Sequence, residues 1–284
     1  MSASLCLVIS AAALSQQPCL APADTRPSSE AAKTIEDFKA DARQYVLRLD
    51  ARPDAAFTLH EEPLLHWGNP ARTGEDGAVF VWLLDGRPQA IGRIFTYRYS
   101  NVIRRKHEYH SLASGPLTAT YQGQRVWAPR TSGISFKPVP DAPALPPTSR
   151  GRSSQIKMLA RNFSARIEDS NGKKDELRLL TQPLFRYETT DKKTDGALFS
   201  FSLGTDPEVI LILEANLKGG GPPWQYAFAR YHFVDLHASY DGREVWHAEP
   251  LPAEISSLEI GTSKFQDSVY ATYHTQTTPI EEAE

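Results

Sequence analysis

Apolar residues recur along the chain first at helical and then at strand spacing, and they do so twice. Ala31, Ile35, Phe38, Ala42, Tyr45 and Leu49 step by 4, 3, 4, 3 and 4, which keeps one face of a helix apolar. Ser28 or Ser29 can accept the free N–H groups of its first turn, with Glu30 near the positive end of the dipole. After Ser153-Ser154, the residues Ile156, Ala160, Phe163 and Ile167 hold a similar face. Both stretches end on period-two alternation, Tyr45, Leu47, Leu49 and Phe163, Ala165, Ile167. A helix giving way to a strand is expected there, because Arg52-Pro53-Asp54 and Ser170-Asn171-Gly172 follow at once as turns. Strands come next. Glu176–Glu188 reads as one strand, interrupted at Pro183, which implies an edge position or a bulge, and Gly196–Leu203 and Glu208–Glu214 flank a hairpin connection at Gly204–Pro207. Asp85-Gly86 marks the corresponding hairpin upstream, and Asp241-Gly242 a later turn.

The two series align. Asp76-Gly77-Ala78-Val79-Phe80 lies over Asp195-Gly196-Ala197-Leu198-Phe199 at an offset of 119, and Leu84, Pro88 and Ile91 meet Leu203, Pro207 and Ile210 without a gap. The offset returns where Leu117, Ala119, Tyr121, Gly123, Val126 and Trp127 meet Leu236, Ala238, Tyr240, Gly242, Val245 and Trp246. Several blocks in one order predict a duplicated unit. The fold class expected is α+β: two tandem copies of a helix plus an antiparallel β-meander, strand-rich overall. The expected divisions are a signal peptide over 1–23, a first unit over 28–136, a linker over 137–152, a second unit over 153–250 and a partly disordered extension over 251–284. In the linker, five prolines within residues 138–147 favour extended polyproline II over any ladder, and Thr277–Glu284 read as frayed. Whether the units form separate domains or one pseudo-twofold body is open at this stage. Trp127 and Trp246 are expected as core anchors.

Composition changes this picture little. With 284 residues, 40% hydrophobic and 23% charged, either half is long enough to bury a core. A net charge of −3 gives no reason to expect nucleic acid as a partner, and the basic run Arg104-Arg105-Lys106 reads as a solvated strand end. Ser4–Leu14 is uncharged and mostly apolar, too short to span a bilayer, and small residues suited to signal cleavage follow at Ala13-Leu14-Ser15 and Ala21-Pro22-Ala23. This predicts export to an extracytoplasmic place, periplasmic or secreted, with no transmembrane segment after signal removal. Cys6 leaves with the signal and Cys19 leaves with it if cleavage follows Ala23, so the mature chain has no internal disulfide.

Candidate chemistry gathers in the first unit. His66, His107, Glu108 and His110 are the candidate catalytic residues, and His60, Glu62 and His66, which share a face if the segment is a regular strand, are the candidate metal ligands. His107 and His110 should fall on opposite faces of a strand. Pro63 excludes a helical His-Glu-x-x-His reading of the first cluster. Glu214 and Arg230 are candidates for an ion pair across neighbouring strands, and Gly219-Gly220-Gly221 reads as a loop rather than a phosphate cradle. Nothing calls for a cofactor.

Leu179–Tyr187, Asp195–Phe199, Gly204–Glu208 and Trp224–Ala227, with Glu108–Leu112 upstream, resemble a family of uncharacterised exported bacterial proteins. The resemblance implies an extracytoplasmic bacterial setting and no particular activity. The reading these patterns favour is a non-enzymatic protein that binds an unknown ligand or envelope component in a groove between two similar sheets. A His/Glu-based or metal-dependent hydrolase with its site in the first unit is the alternative, and a structural protein of the cell envelope the second alternative.

Overall fold

The computed structural model describes residues 29–69 and 75–280. The apolar N-terminal segment, its cleavage sites, both cysteines and the candidate cap at Ser28 lie outside the described residues. The first half opens with α1 (Ser29–Arg43), followed by β1 (Tyr45–Leu49), β2 (Thr58–Leu59), β3 (Leu65–Asn69), β4 (Glu75–Leu84), β5 (Arg87–Tyr99), β6 (Val102–Ser111), β7 (Leu117–Tyr121) and β8 (Gln124–Trp127). After a two-residue strand β9 (Lys137–Pro138), the second half runs α2 (Ser149–Ala160), β10 (Phe163–Glu168), β11 (Lys174–Leu179), β12 (Phe185–Glu188), β13 (Thr194–Leu203), β14 (Asp206–Asn216), β15 (Trp224–Arg230), β16 (Asp235–Tyr240) and β17 (Arg243–Ala248). A last strand, β18, spans Tyr270–Pro279. The protein is thus strand-rich, antiparallel and α+β.

Among the described residues every strand ladder is antiparallel, with one isolated parallel bridge at Glu259–His274. In the first half β1 pairs β7 and β7 pairs β8, β2 and β3 both pair β4, and β4, β5 and β6 follow in order. In the second half β10 pairs β16 and β16 pairs β17, β11 and β12 both pair β13, and β13, β14 and β15 follow in order. One difference separates them. β10 and β11 form a ladder, joining the second half into a 9-stranded sheet, whereas β1 touches the strand-2 region only through the bridge Arg48–Ala56. Turn chemistry places the hairpins. Asp85-Gly86, Gln122-Gly123 and Asp241-Gly242 all have φ between 46° and 82°, the paired left-handed conformation that two-residue hairpins need.

The glycine of each Asp-Gly-Ala block has a steric reason. Trp67 stands opposite Gly77 and Tyr187 opposite Gly196, and each ring lies over its glycine. A Cβ at Gly77 would meet Trp67 at 2.4 Å, and one at Gly196 would meet Tyr187 at 2.3 Å.

Three apolar clusters hold the layers together. Phe38 and Ala42 of α1 pack with Tyr45, Trp82, Tyr109 and Trp127 in one, and Ile156 and Leu159 of α2 pack with Phe163, Phe199, Leu211 and Trp224 in another. The third lies between the halves, where Val79, Val81 and Ile91 meet Leu198, Ile210 and Ile212. β4 and β14 are therefore apolar on both faces, which is why Ala78–Leu84 and Val209–Leu213 read as unbroken apolar runs. The halves form one body, with two sheets face to face and a helix outside each. Trp127 is fully buried, while Trp246 is partly buried and stacks on Phe228.

The interruption at Pro183 is a bulge: with no N–H to donate there, 181–183 bulge out while Leu180 and Leu184 still donate to Ser200 and Leu198, and the Glu176–Glu188 run divides into two strands along β13. Three expectations need correction. The linker is shorter than expected and takes part in a ladder. Thr148 caps α2 by accepting from Gly151 N, and β9 pairs with the edge of β15, where the missing N–H of Pro138 does no harm. In the extension, Thr277, Thr278 and Pro279 pair with Arg104, Ile103 and Val102, so β18 closes the edge of the first half's sheet. Finally, Glu214 faces Gln225 and Arg230 faces Val209, so those two charges do not pair.

Candidate functional site

The bulge that breaks β11 from β12 has a counterpart between β2 and β3. His60 N donates to Val81 O and Leu64 N to Val79 O, leaving 61–63 outside the ladder. This breaks the regular alternation that would place His60, Glu62 and His66 on one face. The His60 ring packs on Phe185 at 5.1 Å and its Nδ1 contacts Glu62 O, Glu62 pairs with Lys39 at 2.9 Å, and His66 Nε2 meets Asp76 Oδ1 at 2.6 Å. The three do not converge on a common point.

β6 carries the other candidates, and alternation sends them to opposite faces. His107 enters the first half's core, fully buried, with Nδ1 2.8 Å from the Tyr45 hydroxyl and Nε2 3.4 Å from Asp41. Burial pulls its pKa down despite Asp41. Neither of the two large clefts described next reaches it. Glu108 and His110 face the second half. His110 Nδ1 lies against Ser111 O, and burial holds the imidazole down at about 4, hence neutral. Of the four candidate catalytic residues, only Glu108 lines a cleft.

That cleft, of about 390 Å³, opens where β5 and β6 run past the end of the facing sheet. Its wall is a row of cross-strand pairs: Arg93 opposite Glu108, Phe95 opposite Lys106 and Tyr97 opposite Arg104. Period-two alternation turns all six to one side. Exposure rises outward, from Arg93 and Glu108 at the floor to Tyr99, 57% exposed, at the rim.

The floor is locked. Arg93 donates from Nε to Glu108 Oε2 at 2.6 Å, from Nη1 to Asp206 and to Pro207 O, and from Nη2 to Tyr231 O. It therefore ties the first half to the second through four of the five N–H donors of its guanidinium. Burial opposes ionisation of Glu108, but Arg93 and Lys106 beside it hold its pKa at about 2. Thr272 of β18 donates to its other oxygen at 3.1 Å. Burial lowers the Lys106 pKa, with Glu108 at 3.5 Å opposing.

The walls pair cations with rings. Arg104 Cζ lies 4.5 Å from the Tyr99 ring centre, and Lys106 Nζ lies 5.6 Å from that of Phe233, which stacks with His232. Arg104 Nε makes no hydrogen bond. The Tyr97 hydroxyl meets His274 Nε2 at 3.0 Å, and burial keeps His274 at about 4, so that it is neutral at neutral pH. Three cations and two carboxylates line the cleft, and both carboxylates receive Arg93.

A larger cleft, of about 500 Å³, lies at the opposite end of the sheet pair. Its charges are closed on one another: Glu214 receives Arg87 at 2.8 Å, Tyr187 at 2.8 Å and Gln225 at 2.9 Å. The smaller cleft has the more available chemistry despite its size.

Sequence reasoning singled out Glu108 and missed the rest of this cleft. The signal was there, in Arg93-x-Phe95-x-Tyr97-x-Tyr99 answered by Arg104-x-Lys106-x-Glu108 across a tight turn. The basic run is not a solvated strand end, since Lys106 is buried and Arg105 binds Asp41. Compared with models of known protein families, with curated proteins and with solved structures, the chain finds no match.

Proposed function

We propose that this is an exported, non-enzymatic binding protein, built from two copies of one unit, whose ligand sits in the aromatic and cationic cleft beside β5 and β6. The matching order of pairings in the two halves supports duplication, and the apolar N-terminal stretch supports export. The observation that carries the binding reading is the row Phe95–Lys106, Tyr97–Arg104 and exposed Tyr99, an apolar platform studded with cations. Rings take up flat apolar faces, and a guanidinium at the wall takes a carboxylate. A ligand with both features, such as an acidic sugar of an envelope polymer, fits this wall. Glu108, held at about 2, is a poor proton acceptor from a neutral substrate, which supports binding over acid–base catalysis.

Calorimetric titration of the full chain with uronate-containing oligosaccharides, neutral oligosaccharides and anionic lipids tests this. The acidic sugar is expected to bind, and Arg104→Ala to weaken it by roughly tenfold or more, the worth of a hydrogen bond to a charged group. No binding across the panel, or equal affinity for Arg104→Ala, would remove the reading.

A further inference from the structure

On the outer face of the second half, away from both large clefts, β16 and β17 bring together two histidines and an aspartate. His237 stands directly opposite His247 in the ladder, and Asp235 is two residues before His237 on the same face. The two imidazole rings stack with centres 4.4 Å apart and planes 9° apart. One ligand atom from each of Asp235, His237 and His247 lies within 4.8 Å of the other two, the only such trio of His, Cys, Asp or Glu among the described residues.

The surroundings are those of a prepared ligand set. His237 Nδ1 meets Glu244 Oε2 at 2.9 Å, and Arg166 Nη2 holds that carboxylate at 3.4 Å. A carboxylate on Nδ1 fixes the imidazole with Nε2 free to ligate, the usual outer support of a histidine bound to metal. That Nε2 is buried and makes no hydrogen bond, while lying 3.4 Å from Asp235 Oδ1. Tetrahedral zinc bonds of roughly 2.0–2.1 Å place neighbouring ligand atoms ~3.3 Å apart. The His237–Asp235 edge already has that length. The His247–Asp235 contact, at 2.6 Å, must widen, and His247, 39% exposed at its side chain, has the freedom to do so.

The ladder does not need these side chains. The pairing Ala119–Trp127 in β7 and β8 has the place of Ala238–Trp246 in β16 and β17. The neighbouring residues there are Pro116, Thr118, Arg125 and Ala128, where the second half has Asp235, His237, Glu244 and His247. The first half therefore builds the same hairpin without a single ligand.

We infer that Asp235, His237 and His247 form a binding site for a late first-row divalent cation, zinc foremost, with Glu244 as the positioning residue for His237. Two imidazoles and one carboxylate suit such an ion and leave its fourth position open. A cleft of about 200 Å³, lined by His237, Arg166 and Glu176, lies beside that position.

The test is calorimetry of the full chain with zinc chloride, alongside melting with and without chelator. One zinc per chain is expected, with Kd at or below about 10 μM. His247→Ala, at a half-exposed position, should melt like the parent in chelator yet bind zinc at least roughly thirtyfold more weakly. Glu244→Gln should weaken binding by about tenfold, and zinc should raise the melting temperature of the parent but not of His247→Ala. Absence of zinc binding by the parent overturns the proposal. So does undiminished binding by His247→Ala, or a loss caused by His66→Ala in its place.

Discussion

Arg93 shows how much one residue does in this molecule. It neutralises Glu108 on its own sheet and Asp206 on the other, and it caps two backbone carbonyls of the second half. An ionised carboxylate buried this well is a store of pH-dependent stability. Glu108 has an ordinary pKa of 4.5 and is held at about 2, so the unfolded chain takes up its proton first. Its contribution is complete above pH 4.5 and drains as pH falls toward 2. His110 acts in a higher window. Buried and neutral, it is held at about 4 against an ordinary 6.5, so stability falls as pH drops from 6.5 to 4. Each shift corresponds to roughly 3 kcal/mol at full effect. Urea unfolding across pH is expected to show both declines. His110→Gln should lessen the upper decline, to which neutral His274 and His107 also contribute, and Glu108→Gln the lower; slopes identical to the parent's would refute the assignment. At this scale the sequence was partly legible. Alternation put His107 and His110 on opposite faces of β6, where they lie, but it could not show that Arg93 reaches Glu108 and Asp206 at once, because no local pattern encodes a contact between sheets.

Among the elements, hairpins were legible and edges were not. Asp85-Gly86 and Asp241-Gly242 announce their turns through the φ values that only a few residues accept easily. The partners of β9 and β18 are distant in sequence, and Pro138 and the polar Thr277-Thr278 hid their ladders. The same distance hid the bulge at 61–63, whose cause, Pro63, was seen but whose effect on the His60, Glu62 and His66 face was not. β18 matters to stability because it covers β6 with nine paired residues and buries Tyr270 and Tyr273. The Tyr273 hydroxyl also donates to Val126 O at 2.9 Å. A chain truncated after Gln266 would expose a long strand edge beside an apolar face, a template for aggregation. It is expected to sediment as larger assemblies than the parent, whereas truncation after Ile280 leaves the parent's sedimentation unchanged; a Gln266 truncation that sediments and melts like the parent would show that β18 is dispensable.

At the scale of the whole molecule, the facing sheets decide cooperativity. Trp67, Val79, Val81, Ile91 and Leu112 from one half share a buried cluster with Tyr187, Leu198, Ile210, Ile212 and Tyr231 from the other. Separating the halves would expose all of it, at about 25 cal/mol for each Å² of apolar surface. The halves are therefore expected to unfold in a single urea transition, with tryptophan fluorescence and far-UV circular dichroism coinciding. Two resolved transitions would show independent domains. The choice between one body and two was closed to sequence reading, because a run such as Val209–Leu213 states that both faces are covered without saying by what.

The placement of β18 also sets a timetable for synthesis. Everything needed to complete the second half's sheet, from β9 to β17, emerges in one uninterrupted stretch. The earlier half must wait, its outer border unsewn, until residues 270–279 appear more than 140 positions after its own last strand has been made. The part of the chain born first is therefore the part finished last.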